Sequence, residues 1–183
     1  MKRIKIAGIV VLLIAVSGVL VNAVPEQVEK KITGKGTWRY FPPAVEFAGE
    51  QTPLNISDVR ERFDRELLVN ANLDATTLLI IKRANRAFPV IEPILAKYGV
   101  PDDFKYLAVA ESGLLNAVSP SGAKGFWQFM EAAGRENGLE VNNEVDERYH
   151  LEKSTEAACR YLLSAKQRFG SWTMAAASYN GGV

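Results

Sequence analysis

The sequence predicts an all-helical domain behind an N-terminal export segment, and three observations carry that reading. Apolar residues recur at helical spacing in one stretch after another. No run of alternating β-branched residues appears that could build a sheet. Glycine, proline and asparagine stand where the helical stretches should stop. With 183 residues, 48% apolar and 23% charged, the chain has enough material for one domain with a core, and no internal repeat divides it.

Residues 1–23 read as a signal peptide or membrane anchor. Lys2, Arg3 and Lys5 form a basic head, Ile6 to Leu20 an uncharged apolar segment, and Val21-Asn22-Ala23 a small-residue cleavage site. The apolar run is shorter than the ~20 residues of a comfortable span, which favours cleavage over anchoring at the membrane. Without this segment nineteen basic residues face twenty-one acidic ones, so no basic field exists to grip nucleic acid or an anionic bilayer. Residues 24–56 read as a tether with a Gly34-Lys35-Gly36 hinge, ending in Trp38-Arg39-Tyr40-Phe41-Pro42-Pro43. Those aromatics are expected to dock the tether on the domain, with a sugar-stacking platform as the alternative.

The domain proper is expected over 57–183. Ser57 precedes a helix with Val59, Phe63 and Leu67 four apart, and Asp74 one with Leu78, Leu79 and Ile81, both read as core-facing. Pro89 and Pro93 should break the pattern, so that a new helix starts between them and stops at Gly99. Pro101, Asp102 and Asp103 then open a helix that Gly113 closes, with an apolar run from Leu107 to Ala110. Glu111 falls in its last turn, on the face of Phe104, Leu107 and Ala108. Apolar neighbours and the helix's negative end should both raise its pKa towards that of a general acid. A glutamate turned to solvent fits the periodicity equally well.

Ser119 to Gly125 is a turn-rich loop, and Gly125 allows a close approach before Phe126 to Met130, an apolar stretch expected to bury Gln128 in a helix or strand. Ser154 to Phe169 reads as an amphipathic helix ended by Gly170. Ser171 caps a short one from Trp172 to about Tyr179, before Asn180-Gly181-Gly182. Cys159, the single cysteine, lies among Ala157, Ala158 and Leu162 as a buried filler. One histidine, His150, and one cysteine offer no metal-ligand spacing, and no nucleophile elbow or phosphate loop appears.

Glu111-Ser112, Ser119-Pro120-x-Gly122-Ala123, Gly125-Phe-Trp-Gln128-Phe-Met130 and Ser178-Tyr179-Asn180-x-Gly182, in that order, resemble the successive motifs of the lytic murein transglycosylases with the soluble-lytic-transglycosylase domain. These are related to goose-type lysozyme, and the likeness is greatest to the membrane-bound D branch. It spans roughly Phe88 to Val183. It implies a lysozyme-like helical fold, no cofactor, and peptidoglycan glycan strands as partner. It also implies a periplasmic or envelope location and a monomer.

Carried over by position, the resemblance implies Glu111 as the one catalytic acid and base. Ser119, Gln128, Met130, Tyr179 and Asn180 would lie at substrate-binding positions. Family members cut the β-1,4 bond between N-acetylmuramic acid and N-acetylglucosamine and leave a 1,6-anhydro sugar. Tyr179 is suited to donate a hydrogen bond to the carboxylate or to the substrate's acetamido group. Two departures stand out. Glu131 follows Met130 where the family commonly has proline, and family domains usually continue beyond the Tyr-Asn-Gly motif with further helices and often LysM modules, so a truncated domain is expected.

Two other readings remain. A goose-type muramidase adding water would need a second carboxylate, for which Asp102, Glu131, Glu136, Glu140 and Glu144 are available by count. A wall-binding domain without turnover would keep the groove alone.

Overall fold

Ala87, Ile91 and Leu95 follow one another at four-residue spacing and are all buried, which makes one stripe of a long helix the floor of the core. The computed structural model describes residues 41–71 and 74–181. The stretch read as a signal peptide or membrane anchor, residues 1–23, lies outside them, as do Trp38 and Tyr40. The described chain begins with a hairpin, β1 (Glu46–Phe47) and β2 (Glu50–Gln51), paired antiparallel. Helices α1 (Ser57–Ala71) and α2 (Asp74–Tyr98) follow. A 3-10 turn over Asp102–Phe104 then leads into α3 (Lys105–Ser112). After an irregular loop come α4 (Glu131–Glu136), α5 (Leu151–Phe169) and α6 (Trp172–Gly181). The domain is thus mostly helical, as expected, with a hairpin of two two-residue strands that the periodicity did not reveal. Among the described residues no helix is long and apolar enough to cross a membrane.

The packing runs α3 on α2, α2 on α5, and α5 on α6. Helix α3 is enclosed, with every residue from Lys105 to Val109 buried. Even Lys105 is taken in, because its ammonium pairs with Glu92 and Asp102. Gly113 adopts the left-handed conformation, φ 62°, and its N–H returns to Val109 O, closing α3 where the sequence placed its stop. Gly170 ends α5 in the same way. Cys159 is fully buried, and burial pushes its thiol up to about 12, as suits a filler.

Three expectations need correction. Helix α2 runs through Pro89 and Pro93 without a break. The two prolines are four apart on the exposed face opposite Ala87, Ile91 and Leu95. The carbonyls that lose an N–H partner there face water, so the helix loses less than a buried proline would cost it. Second, Leu78, Leu79 and Ile81 are not in the core, and Leu78 is 61% exposed. The buried stripe of α2 begins only at Ala87, because its first half extends past the elements that cover its second. Third, Phe126 to Met130 is neither helix nor strand but a turn held by a bridge between Lys124 and Phe129. It nevertheless buries Trp127 and Phe129.

The core also reaches back before residue 57. Val45 and Phe47 are buried, and Phe41 meets Phe63 edge-on at 5.4 Å. Phe41, the described aromatic of that stretch, therefore packs on the domain.

Candidate active site

Helices α3 and α6 bring their C-terminal ends together, and the site is built where they meet. Glu111 is the next-to-last residue of α3, its neighbours Leu107 and Ala108 fully buried. Asn180, in the last turn of α6, donates from Nδ2 to Glu111 Oε1 at 3.2 Å. Burial raises the Glu111 carboxyl above its ordinary range, and the Asn180 amide pulls it back only in part. Two helix C-termini, each bearing partial negative charge, converge on that carboxyl and add to the cost of ionising it.

Tyr179 lies beside them. Burial raises its phenol well above the ordinary value, and proximity to the Glu111 carboxyl and the Tyr161 phenol raises it further, so the hydroxyl stays neutral. It donates to Trp127 O at 2.8 Å. The donor expected to serve the carboxylate or an acetamido group is therefore committed to the backbone of the Phe126–Met130 turn. The Tyr179 ring packs against Phe129 at 5.9 Å and Tyr161 at 5.1 Å, and Tyr161 fastens its own hydroxyl to Ser178 O at 2.7 Å. The last turn of α6 is held from both sides.

The opposite wall is the loop from Ser112 to Met130. Ser112 Oγ lies 2.8 Å from Phe126 O and 3.1 Å from Ala108 O, so its one proton ties the end of α3 to the turn. Gln128 sits at φ 51°, a conformation unusual for a residue with a side chain. Its Nε2 donates to Ala117 O at 3.0 Å and Gly125 O at 2.8 Å. Ser119 Oγ accepts from Ala123 N and pairs with Ser121 Oγ, both at 3.0 Å. Ser119 and Gln128, expected at substrate, thus spend these bonds shaping the loop. Met130, 47% exposed, presents its side chain to solvent just before α4. Glu131 takes the first position of α4, where a proline would fit equally well and where an acid favours the helix start.

Gly125 shows why the loop needs glycine. At φ +81° a Cβ would come 1.9 Å from Arg148 O. Arg148 is buried and donates to Gly122 O and Phe129 O, while Asp146 pairs with it and also with Lys124. The Arg148 hydrogen bond leads in holding Asp146 down at about 2, with Lys124 assisting. Sequence reasoning missed Asp146 and Arg148, because two charges in an irregular stretch give no sign of a partner more than twenty residues back. It also missed Glu50, whose carboxylate accepts from Ser171 Oγ, Trp172 N and Thr173 N at the start of α6.

Three of the carboxylates available by count have polar partners of their own. Asp102 pairs with Lys105, Glu131 with Arg135, and Glu140 accepts from Asn142.

A family model described as "Transglycosylase SLT domain" matches residues 89–183. Membrane-bound lytic murein transglycosylase D of Escherichia coli strain K12 is 28% identical over 141 residues, which cover 74% of this chain and 30% of that protein. The protein of the same name from Escherichia coli O6:H1, strain CFT073, gives the same identity and coverage. The chain therefore spans about 30% of the length of these curated relatives.

Proposed function

Because the chain belongs to the Transglycosylase SLT domain family, we propose that it is a lytic transglycosylase of peptidoglycan, with Glu111 as its single acid and base. The observation that carries this reading is the state of Glu111. Burial at the end of α3 raises its carboxyl above the ordinary range, while hydrogen bonds hold Glu50, Asp146 and Glu147 below it. Acid catalysis near neutrality calls for a carboxyl of that kind.

Protonated Glu111 gives its proton to the oxygen bridging N-acetylmuramic acid and N-acetylglucosamine as the C1–O bond breaks. The substrate's acetamido carbonyl relieves the oxocarbenium-like charge at C1. The Glu111 carboxylate then takes the proton of the muramoyl 6-hydroxyl, whose oxygen closes on C1 to leave the 1,6-anhydro ring. One carboxylate serves both steps, whereas two-carboxylate glycosidases need a second about 5 to 9.5 Å away. Asn180 orients Oε1, and Tyr179 fixes the turn that carries Gln128. Met130 is available to the glycan. With the export segment at 1–23, the work site is the cell envelope.

Mass spectrometry of products from purified sacculi tests the reading. Anhydro-ended muropeptides from the wild type and none from Glu111→Gln are expected. Hydrated reducing ends would make it a muramidase, and glycan binding without release would make it a wall-binding domain.

A further inference from the structure

Helix α6 already has a local cap, since Ser171 Oγ accepts from Met174 N at 3.2 Å. It is nonetheless gripped by a carboxylate more than 120 residues earlier in the chain. Glu50 Oε1 accepts from Trp172 N at 2.6 Å, and Oε2 accepts from Ser171 Oγ at 2.7 Å and Thr173 N at 2.9 Å. The hairpin bearing Glu50 turns through Ala48 and Gly49 at φ 53° and 75°. Ala48 is strained in this conformation, which persists only where the surroundings impose it. Here the Ala48 N–H donates to Asp103 Oδ2 at 2.7 Å, at the entry to α3. A chain of rings repeats the connection, Phe47 on Phe104 at 5.1 Å and Phe104 on Trp172 at 5.4 Å. The starts of α3 and α6 are therefore joined through the hairpin, and their far ends meet at Glu111 and Asn180.

We infer that this hairpin is a positioning clasp for the active site: Glu50 on α6 and Asp103 at α3 set the approach of Asn180 to Glu111 at the opposite ends of the two helices. The inference rests on the function proposed above. Helix α6, ten residues long, spans about 15 Å. A tilt of ~5° at its clasped end moves the other end by about 1 Å, a displacement that can cost ~10²-fold in rate. Glu50 is spent on the start of α6 and Asp103 on the hairpin turn. They act through Asn180.

The test reads Glu111 itself. Its titration is followed by carboxyl NMR in the wild type, Asn180→Ala, Glu50→Gln and the double variant, beside turnover on sacculi. Around Glu50 the charged and polar groups are Lys166 from α5 and Ser171 and Thr173 from α6. Around Glu111 they are Asn180 and Tyr179. Asn180→Ala should move the Glu111 titration to higher pH, because it deletes the bond that lowers it. Glu50→Gln should move it the same way, and the double variant no further than Asn180→Ala alone. Turnover of Glu50→Gln should fall about tenfold or more in kcat with KM little changed. Asp103→Asn, which leaves the cap on α6 in place, should act in the same direction and serves if Glu50→Gln does not fold.

A lowered melting temperature with the Glu111 titration unmoved, or shifts that add in the double variant, would overturn the clasp. Turnover that survives Glu111→Gln would instead overturn the proposed function, while the titration cycle still decides the clasp.

Discussion

Glu111 experiences opposed influences, burial raising its pKa and the Asn180 amide lowering it, and the balance has a signature in stability. A carboxyl whose folded pKa lies above its unfolded one holds its proton more tightly in the native state. Folding stability therefore declines as pH rises from the ordinary carboxylate range through the raised value. Glu111→Gln should abolish muropeptide release while leaving the melting temperature unchanged or higher. The gain should be larger at pH 7 than at pH 4, and calorimetry at the two values checks it. Tyr179 carries a different expectation. Its hydroxyl is the partner of the Trp127 carbonyl, so Tyr179→Phe leaves that acceptor unpaired and should cost about 1–3 kcal/mol in denaturant unfolding. It should also reduce turnover more than glycan affinity. An equal loss of both would mean that the residue serves binding alone.

At the scale of elements, the loop between α3 and α4 depends on close backbone approach. Gly125 and Gly122 both have positive φ, +81° and +87°, yet a Cβ at Gly122 would meet nothing within 4 Å while one at Gly125 would overlap Arg148 O. Gly122→Ala should cost ~1–2 kcal/mol from conformation alone. Gly125→Ala adds a clash with backbone that cannot swing aside, and should cost about 3 kcal/mol or more and loosen the wall held by Gln128. Urea unfolding of the two variants separates the contributions. The motif Gly125-Phe-Trp-Gln was legible because glycine before bulky residues implies tight approach. What approaches it was not, since Arg148 reaches the loop only through tertiary packing.

Across the whole molecule, two lowered carboxylates tie distant segments, Glu50 to α6 and Asp146 to Arg148 and Lys124. At Glu50 burial alone would raise the pKa, but the combined hydrogen bonds from Thr173, Ser171 and Trp172 outweigh it and hold it at about 2. Asp146 also lies at about 2. Both are depressed from 4.5 and 3.8, so their stabilisation is complete above those values and is lost as pH falls towards 2. Acid unfolding should therefore steepen over that window. Asp146→Asn should flatten it, as circular dichroism against pH would show. The helical composition of the molecule was readable from period and punctuation, and so were the ends of α3 and α5, because Gly113 and Gly170 act through their own backbone. The first half of α2 was misread because an apolar face records what a helix could bury and carries no information about what covers it.

The sequence by itself determined that the chain would be helical and that Glu111 would fall in the last turn of a helix packed into the core, and its motifs in their order carried the resemblance that groups Gln128 and Tyr179-Asn180 with it. Those facts rest on local backbone preference and on residue identities in order. Only the tertiary structure decided which hydrogen bonds those side chains make: that Asn180 holds the carboxylate, that Tyr179 holds the turn, and that Glu50 grips a helix 121 residues away. Pairings of that kind depend on where separate segments come to rest in space, and the spacing of residues along one segment does not encode the position of another.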